Sequence, residues 1–294
     1  MRQGDTVNRN IVMGALVSAG LCLAASAPTQ AQTSPQPQTA PSVNRIEIAY
    51  LHPDNPALRP YETLVKEDQV LEHVQRSMRF VELPQPIFIH FAQCDDDNAW
   101  YNPYEHTVTF CYELVRHIES IAPKSTRDGT TRKEAILGSV YFSLQHELGH
   151  AFIDTFEFPI LGREEDAADD LAAYAILTMN KPKPEQIIRG AAWMWGQDAR
   201  REKPDKGALA DVHSLAYQRF FNLLCLAYGS DPVSFAFVER DLPSDRAADC
   251  KREFRLLDFS ITKLFTGHVD TALLEQLRAY FRERRPNATQ ESSK

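Results

Sequence analysis

Apolar and polar residues alternate along Arg45-Ile46-Glu47-Ile48-Ala49-Tyr50, the pattern of a strand with one buried face. Leu64, Val70, Leu71 and Val74 recur among charged residues, which predicts a helix over 62–79. A second strand is predicted over Pro86-Ile87-Phe88-Ile89-His90-Phe91. Ala99-Trp100-Tyr101 and Thr107-Val108-Thr109-Phe110 flank a turn at Asn102-Pro103 and predict a pair of strands. Helical spacing then takes over, with helices expected over about 112–121, 131–156, 164–180, 184–199, 211–228, 245–257 and 270–283. No internal repeat is present. A small sheet followed by a mainly helical remainder, in one domain over 44–285, predicts an α+β fold. Residues 286–294 read as a loose polar tail.

The N-terminal pattern differs. Met1 to Asn10 is polar and carries Arg2 and Arg9, Ile11 to Ala27 is apolar and rich in small residues, and Pro28-Thr29-Gln30-Ala31 follows. This is the layout of a secretory signal peptide over 1–31, cut after Ala31 or Ala27. The run is shorter than the roughly 20 apolar residues that a membrane span prefers, so no span is expected after its removal. Residues 32–43 form a Pro/Gln/Ser linker that cannot build a core. Such a chain is expected in the periplasm or outside the cell.

Export changes the meaning of the cysteines. Cys22 leaves with the signal peptide, and the mature chain keeps Cys94, Cys111, Cys225 and Cys250. An even number in an oxidising compartment points to disulfides. The two local pairings, Cys94–Cys111 and Cys225–Cys250, are expected, each stabilising by about 3 kcal/mol. The net charge of −8, with 40 acidic against 32 basic residues and no basic stripe, argues against a nucleic-acid partner.

The residues that carry chemistry stand in the predicted 131–156 helix. Gln145-His146-Glu147-Leu148-Gly149-His150-Ala151 contains H-E-x-x-H. His146 and His150 lie one turn apart on one face, so both imidazoles can reach a single Zn²⁺. Glu147 points aside, placed to act on a water rather than to ligate. Ile136, Val140, Leu144, Leu148 and Phe152 form an apolar stripe for the core. Gly149 costs about 1 kcal/mol relative to Ala in a helix, so a close approach of backbone or metal is expected there.

A catalytic zinc needs a third protein ligand and an open position. Past a turn at Pro159 and Gly162, Arg163-Glu164-Glu165-Asp166-Ala167-Ala168-Asp169-Asp170 opens the next helix. Glu165 and Asp169, four residues apart, share a face: Glu165 can ligate while Asp169 accepts the spare N–H of a ligand histidine. Glu164 is the alternative ligand, and acidic residues at a helix start also complement its dipole. His213, between a charged loop and an amphipathic helix, is a candidate donor to a developing oxyanion, or a surface or capping histidine. Arg219 is expected to form an internal salt bridge or to grip a substrate carboxylate. Trp193 and Trp195 read as core, and Asp95-Asp96-Asp97 as a solvated turn.

The E-x-x-x-D spacing after H-E-x-x-H resembles the gluzincin zinc metallopeptidases. More closely, the chain resembles a family of exported bacterial metallopeptidase-like proteins. The matching segments are Cys94…Asn98-Ala99-Trp100-Tyr101-Asn102-Pro103…Cys111-Tyr112-Glu113, His146 to Ala151, Leu161 to Ala172, and His213-Ser214-Leu215…Gln218-Arg219-Phe220…Asn222…Cys225. The resemblance implies a zincin-like site and supplies no substrate. The expected function is zinc-dependent hydrolysis of a peptide or protein, with Glu147 as the general base. A zinc hydrolase of non-peptide amides or esters is the alternative among enzymes. A non-catalytic binding or inhibitory module is the alternative outside them, although it would have no need of Glu147.

Overall fold

The computed structural model describes residues 45–127, 129–178 and 184–276. The signal peptide, Cys22, the linker and the polar tail fall outside these residues. β1 (Ile46–Tyr50), β2 (Ile87–Ala92), β3 (Ala99–Asn102) and β4 (Thr107–Cys111) form a mixed sheet in the order β1-β2-β4-β3. The first two neighbouring pairs are parallel, and β3 runs antiparallel to β4 at the edge. The register aligns Ile48 with Ile89 and Val108, and Tyr50 with Phe91 and Phe110. Alternation therefore collects these apolar side chains on one face, where Ile89, Phe91, Val108 and Phe110 are fully buried.

Parallel neighbours need a crossover, and between β1 and β2 it is made by α1 (Arg59–Glu67) and α2 (Val70–Ser77). One continuous helix was expected here. Gln69 instead takes a left-handed conformation (φ 50°), which breaks the helical hydrogen bonding and reorients α2. Val65 on α1 and Val70, Leu71 and Val74 on α2 are all buried as a result.

α3 (Tyr112–Ile121) follows β4 directly, and α4 (Arg132–Thr155) is the central helix. Thr131 and Glu134 form a reciprocal cap at its start: the Thr131 hydroxyl accepts the Glu134 N–H, and the Glu134 carboxylate accepts the Thr131 N–H. The expected apolar stripe is buried, but so are Ala135, Tyr141, Phe142 and Ala151 on other faces. A helix enclosed on most sides loses its amphipathic signature, since polar positions have nowhere to face.

Glycine makes the enclosure possible. A Cβ on Gly138 would stand 2.8 Å from the Gly190 Cα in α6 (Pro184–Arg201), and one on Gly190 would collide with the Glu134 carbonyl. α5 (Glu164–Thr178) crosses α4 at its other end. The remainder comprises α7 (Lys206–Ala210), α8 (Ala216–Ser230) and α9 (Ser244–Leu264), and residues 271–276 are helical again. α8 begins later than expected because 202–215 splits off as a separate segment, and the Gln218 side chain caps the Leu215 N–H at 3.0 Å. Cys94–Cys111 and Cys225–Cys250 are bonded; the first closes the loop that carries β3, and the second ties α8 to α9. No helix among the described residues is long and apolar enough to cross a membrane.

Gly190→Ala should destabilise the chain by about 1–3 kcal/mol, because the added methyl must push α6 off α4. Urea unfolding of the disulfide-intact protein measures this, and an unchanged midpoint would contradict the backbone contact.

Candidate active site

His146 and His150 project from consecutive turns of α4 toward the first turn of α5. The chain reverses between the two helices at Glu157, whose left-handed backbone (φ 52°) ends α4. Gly149 explains why the helices meet so closely: a Cβ there would lie 3.0 Å from the Ala168 carbonyl oxygen and 3.1 Å from its Cα. The close approach is therefore made by backbone. It places Glu165, one turn before Ala168, against both histidines.

Three atoms converge. His146 Nε2 lies 3.1 Å and His150 Nε2 3.3 Å from Glu165 Oε2, and the two imidazole nitrogens are 3.2 Å apart. In a tetrahedral zinc site with bonds of about 2.0–2.1 Å, neighbouring ligand atoms are about 3.3–3.4 Å apart. The triangle thus has the edges of one face of such a site, and its atom types suit zinc. These three residues are brought together as a group able to hold a metal ion.

Both Nδ1 atoms point away from the triangle onto carboxylates. His146 Nδ1 donates to Asp169 Oδ1 at 2.8 Å, and His150 Nδ1 donates to Glu164 Oε1 at 2.7 Å. In the neutral form that a metal would bind, the proton held on Nδ1 would leave each Nε2 lone pair pointing inward. Asp169 stands where the spacing put it. Glu164, the alternative ligand, lies outside the triangle and orients His150. Arg219 grips Asp169 through two hydrogen bonds, 2.6 Å from Nε to Oδ2 and 2.7 Å from Nη2 to Oδ1. Its guanidinium in turn lies 3.7 Å over the Trp195 ring. Arg219 is therefore internal, and Trp195, expected as core, also lines the cleft.

Glu147 enters the same cleft, where its carboxylate faces the backbone N–H of Tyr101 from β3. His213 is half-exposed on the segment before α8, with Nε2 3.0 Å from Glu165 Oε2 and Nδ1 3.0 Å from Asp211 Oδ1. The cleft measures about 660 Å³ and runs between β3, α4 and this segment. Neither the Asp211 partner of His213 nor the Tyr101 partner of Glu147 left a signal in the sequence, because both depend on tertiary placement.

The electrostatics follow from this packing. Burial opposes charge on His146, but the Asp169 and Glu165 carboxylates outweigh it and raise its pKa. Burial likewise opposes charge on His150, yet Glu165 and Glu164 carry it up to about 9. Hydrogen bonds from His146, His150 and His213 hold Glu165 well below the ordinary carboxylate range. Burial pushes Glu147 up. It also pushes up Asp169, where His146 and Arg219 more than offset it and the net shift is downward. Asp170, on another side of α5, has no such cation: burial first, then Asp169, Asp166 and Glu253, raise it to about 7.

The fold and the site together define an α+β protein with a candidate metal centre between its central helix and the first turn of α5. The chain belongs to the family described as "Putative metallopeptidase", whose model matches residues 50–264, from the end of β1 to the end of α9. Membership implies a peptide-cleaving hydrolase that uses a metal. No curated protein and no solved structure matches the chain.

Two outcomes are expected from the carboxylates. Asp169→Ala should weaken metal affinity by roughly 10–100-fold, and Glu164→Ala by about 10-fold, in titrations against a competing chelator. Asp170→Asn should leave that affinity unchanged and flatten the pH dependence of stability. The folded pKa of Asp170 lies above its unfolded value of about 3.9, so the folded state binds more protons and stability falls as pH rises from about 4 to about 7. Asp170→Asn should therefore be more stable than the parent at pH 8, and equal unfolding curves there would refute the assignment.

Proposed function

We propose that this chain is an exported zinc peptidase with a zincin-like, gluzincin-type centre in which His146, His150 and Glu165 hold the ion. The observation that carries the reading is the near-equilateral triangle of two imidazole nitrogens and one carboxylate oxygen, with edges of 3.1–3.3 Å. A zinc ion held there would supply Lewis acidity, making a water more acidic and polarising the scissile carbonyl. Export is supported by the three-part pattern of residues 1–31 and by two disulfides, which persist in an oxidising compartment.

The chain's own residues have distinct tasks. Glu147 takes the proton of the attacking water and later passes it to the leaving amine. Burial raises the basicity of that carboxylate. Asp169 and Glu164 hold the two imidazoles in one tautomer and orientation. His213 donates from Nε2 to the carbonyl oxygen as that atom gains charge.

The substrate lies along β3. Cys111 N–H donates to the Asn98 carbonyl at 3.1 Å, so the antiparallel alternation turns Trp100 and Asn102 toward β4 and turns Ala99 and Tyr101 outward. The Ala99 N–H is bound by its neighbour's Asn98 Oδ1 at 2.9 Å, and the Tyr101 N–H faces the Glu147 carboxylate. The Ala99 and Tyr101 carbonyls remain to accept N–H groups of an extended peptide. Leu114, Phe142 and Trp195 offer an apolar wall for one of its side chains.

Metal analysis of the purified mature chain should give about one zinc per molecule, and His146→Ala, His150→Ala or Glu165→Ala should lose tight binding. Glu147→Gln should keep the zinc and lose cleavage of a mixed peptide library. Stoichiometric zinc in all three ligand variants would overturn the site, and undiminished cleavage by Glu147→Gln would overturn the mechanism.

A further inference from the structure

His213 is not positioned by packing. From Lys203 to His213 the chain contains no buried residue, and α7 within it contributes nothing to the core. Leu209 and Val212 are themselves exposed. A segment without buried apolar contacts has low local stability and opens readily. Its terminal histidine nevertheless stands at the centre of the site.

Polar contacts hold it there. Asp211, from the same segment, accepts both the His213 N–H at 2.9 Å and its Nδ1–H at 3.0 Å. That pair shapes the loop and aims the ring but anchors neither to the rest of the protein. Besides a loose stacking of the His213 ring on that of His146, with centroids 6.4 Å apart, two polar contacts reach outside the segment. One is His213 Nε2 to Glu165 Oε2 at 3.0 Å, and the other is Arg163 Nη1 donating to the His213 backbone carbonyl at 3.0 Å. Glu165 Oε2 is also the oxygen of the ligand triangle, and His213 Nε2 is the atom required by the substrate. During turnover that first contact has to be given up. The Arg163 bond uses neither atom and can persist.

We propose that Arg163 is the positioning residue for His213: it latches segment 203–214 over the cleft by its backbone, leaving the imidazole free to act. Arg163 is well placed for this, since it immediately precedes Glu164 and Glu165 at the start of α5. The latch and the ligand-bearing turn are therefore parts of one rigid element. The segment can open for substrate by breaking exposed polar contacts, with no core to disturb. The inference rests on the peptidase reading for its consequence in turnover, but not for the latch itself.

Two measurements on the zinc-loaded full chain test it. In steady-state cleavage, Arg163→Ala should lower kcat roughly 10–100-fold, as expected when a working group is displaced by about an ångström. His213→Ala should lower it by roughly 10²–10³-fold, the usual effect of losing an oxyanion donor. The Arg163→Ala/His213→Ala double variant should be no slower than His213→Ala alone, because the latch acts only through the histidine. Multiplying losses, or an unaltered kcat in Arg163→Ala, would overturn the proposal. Zinc affinity should match that of the parent, and a fall comparable to Asp169→Ala would assign Arg163 to the metal site instead. In hydrogen exchange, Arg163→Ala should speed exchange across 203–214 and leave α4 unchanged. Unchanged exchange there overturns the latch even if no peptide is ever cleaved, so failure of the latch and failure of the peptidase reading are distinguishable.

Discussion

Gly149 lets the backbone of α5 approach α4 so closely that any side chain there would stand 3.0 Å from the Ala168 carbonyl, and the candidate ligand set depends on that contact. Two histidines one turn apart on a helix define a line of donors, and a third atom must reach it from outside. Glu165 has a short side chain and sits one turn before Ala168, so it reaches Nε2 of both rings only if the helix axes are this close. A helix pair separated by ordinary side chains sits 8–10 Å apart. At that distance the carboxylate would need a water to bridge the gap. The destabilising glycine inside α4 is thus the sequence's concession to geometry.

Around this contact the charged groups form a hierarchy rather than a pool. Each imidazole has one outer carboxylate, but the two are not equivalent. Asp169 is mostly shielded and doubly bonded by Arg219, whose guanidinium lies over Trp195, while Glu164 is largely exposed. A buried carboxylate without such a partner would take up a proton, and neighbouring Asp170 illustrates this with a pKa raised to about 7. Arg219 therefore keeps Asp169 an acceptor. His146 is held by a rigid chain of partners and His150 by a solvated one, which makes the His150 side of the site the softer side.

Much of this could be read from the sequence, and the losses have physical causes. The span of α4, the pair β3 and β4, and the register of His146, Glu147, His150, Glu165 and Asp169 all follow from local periodicity. The two local cysteine pairings also agree with the bonds in the structure. The left-handed turn at Gln69 could not be seen, because an unremarkable polar residue adopts it to bury Val70, Leu71 and Val74. The parallel order β1-β2-β4 was equally hidden, since alternation reports faces and not neighbours. The choice between Glu164 and Glu165 stayed open because both glutamates lie in the first turn of α5. Which of them points into the triangle is set by the helix crossing. Arg163 and Asp211 left no trace, their partners being a backbone carbonyl and a loop histidine.

The outer edge of β3 differs chemically from an ordinary sheet edge. Of its two outward N–H groups, that of Ala99 is taken by Asn98 and that of Tyr101 faces the Glu147 carboxylate, while the outward carbonyls of Ala99 and Tyr101 remain. Pro103 then follows without a donor of its own. An open edge normally invites another copy of the same strand, and from there aggregation. Here two such edges brought together would set carbonyl against carbonyl, with no hydrogen to share. Only a chain that brings its own free N–H groups can pair, so the exposed edge discriminates against self-association while staying open to other extended chains.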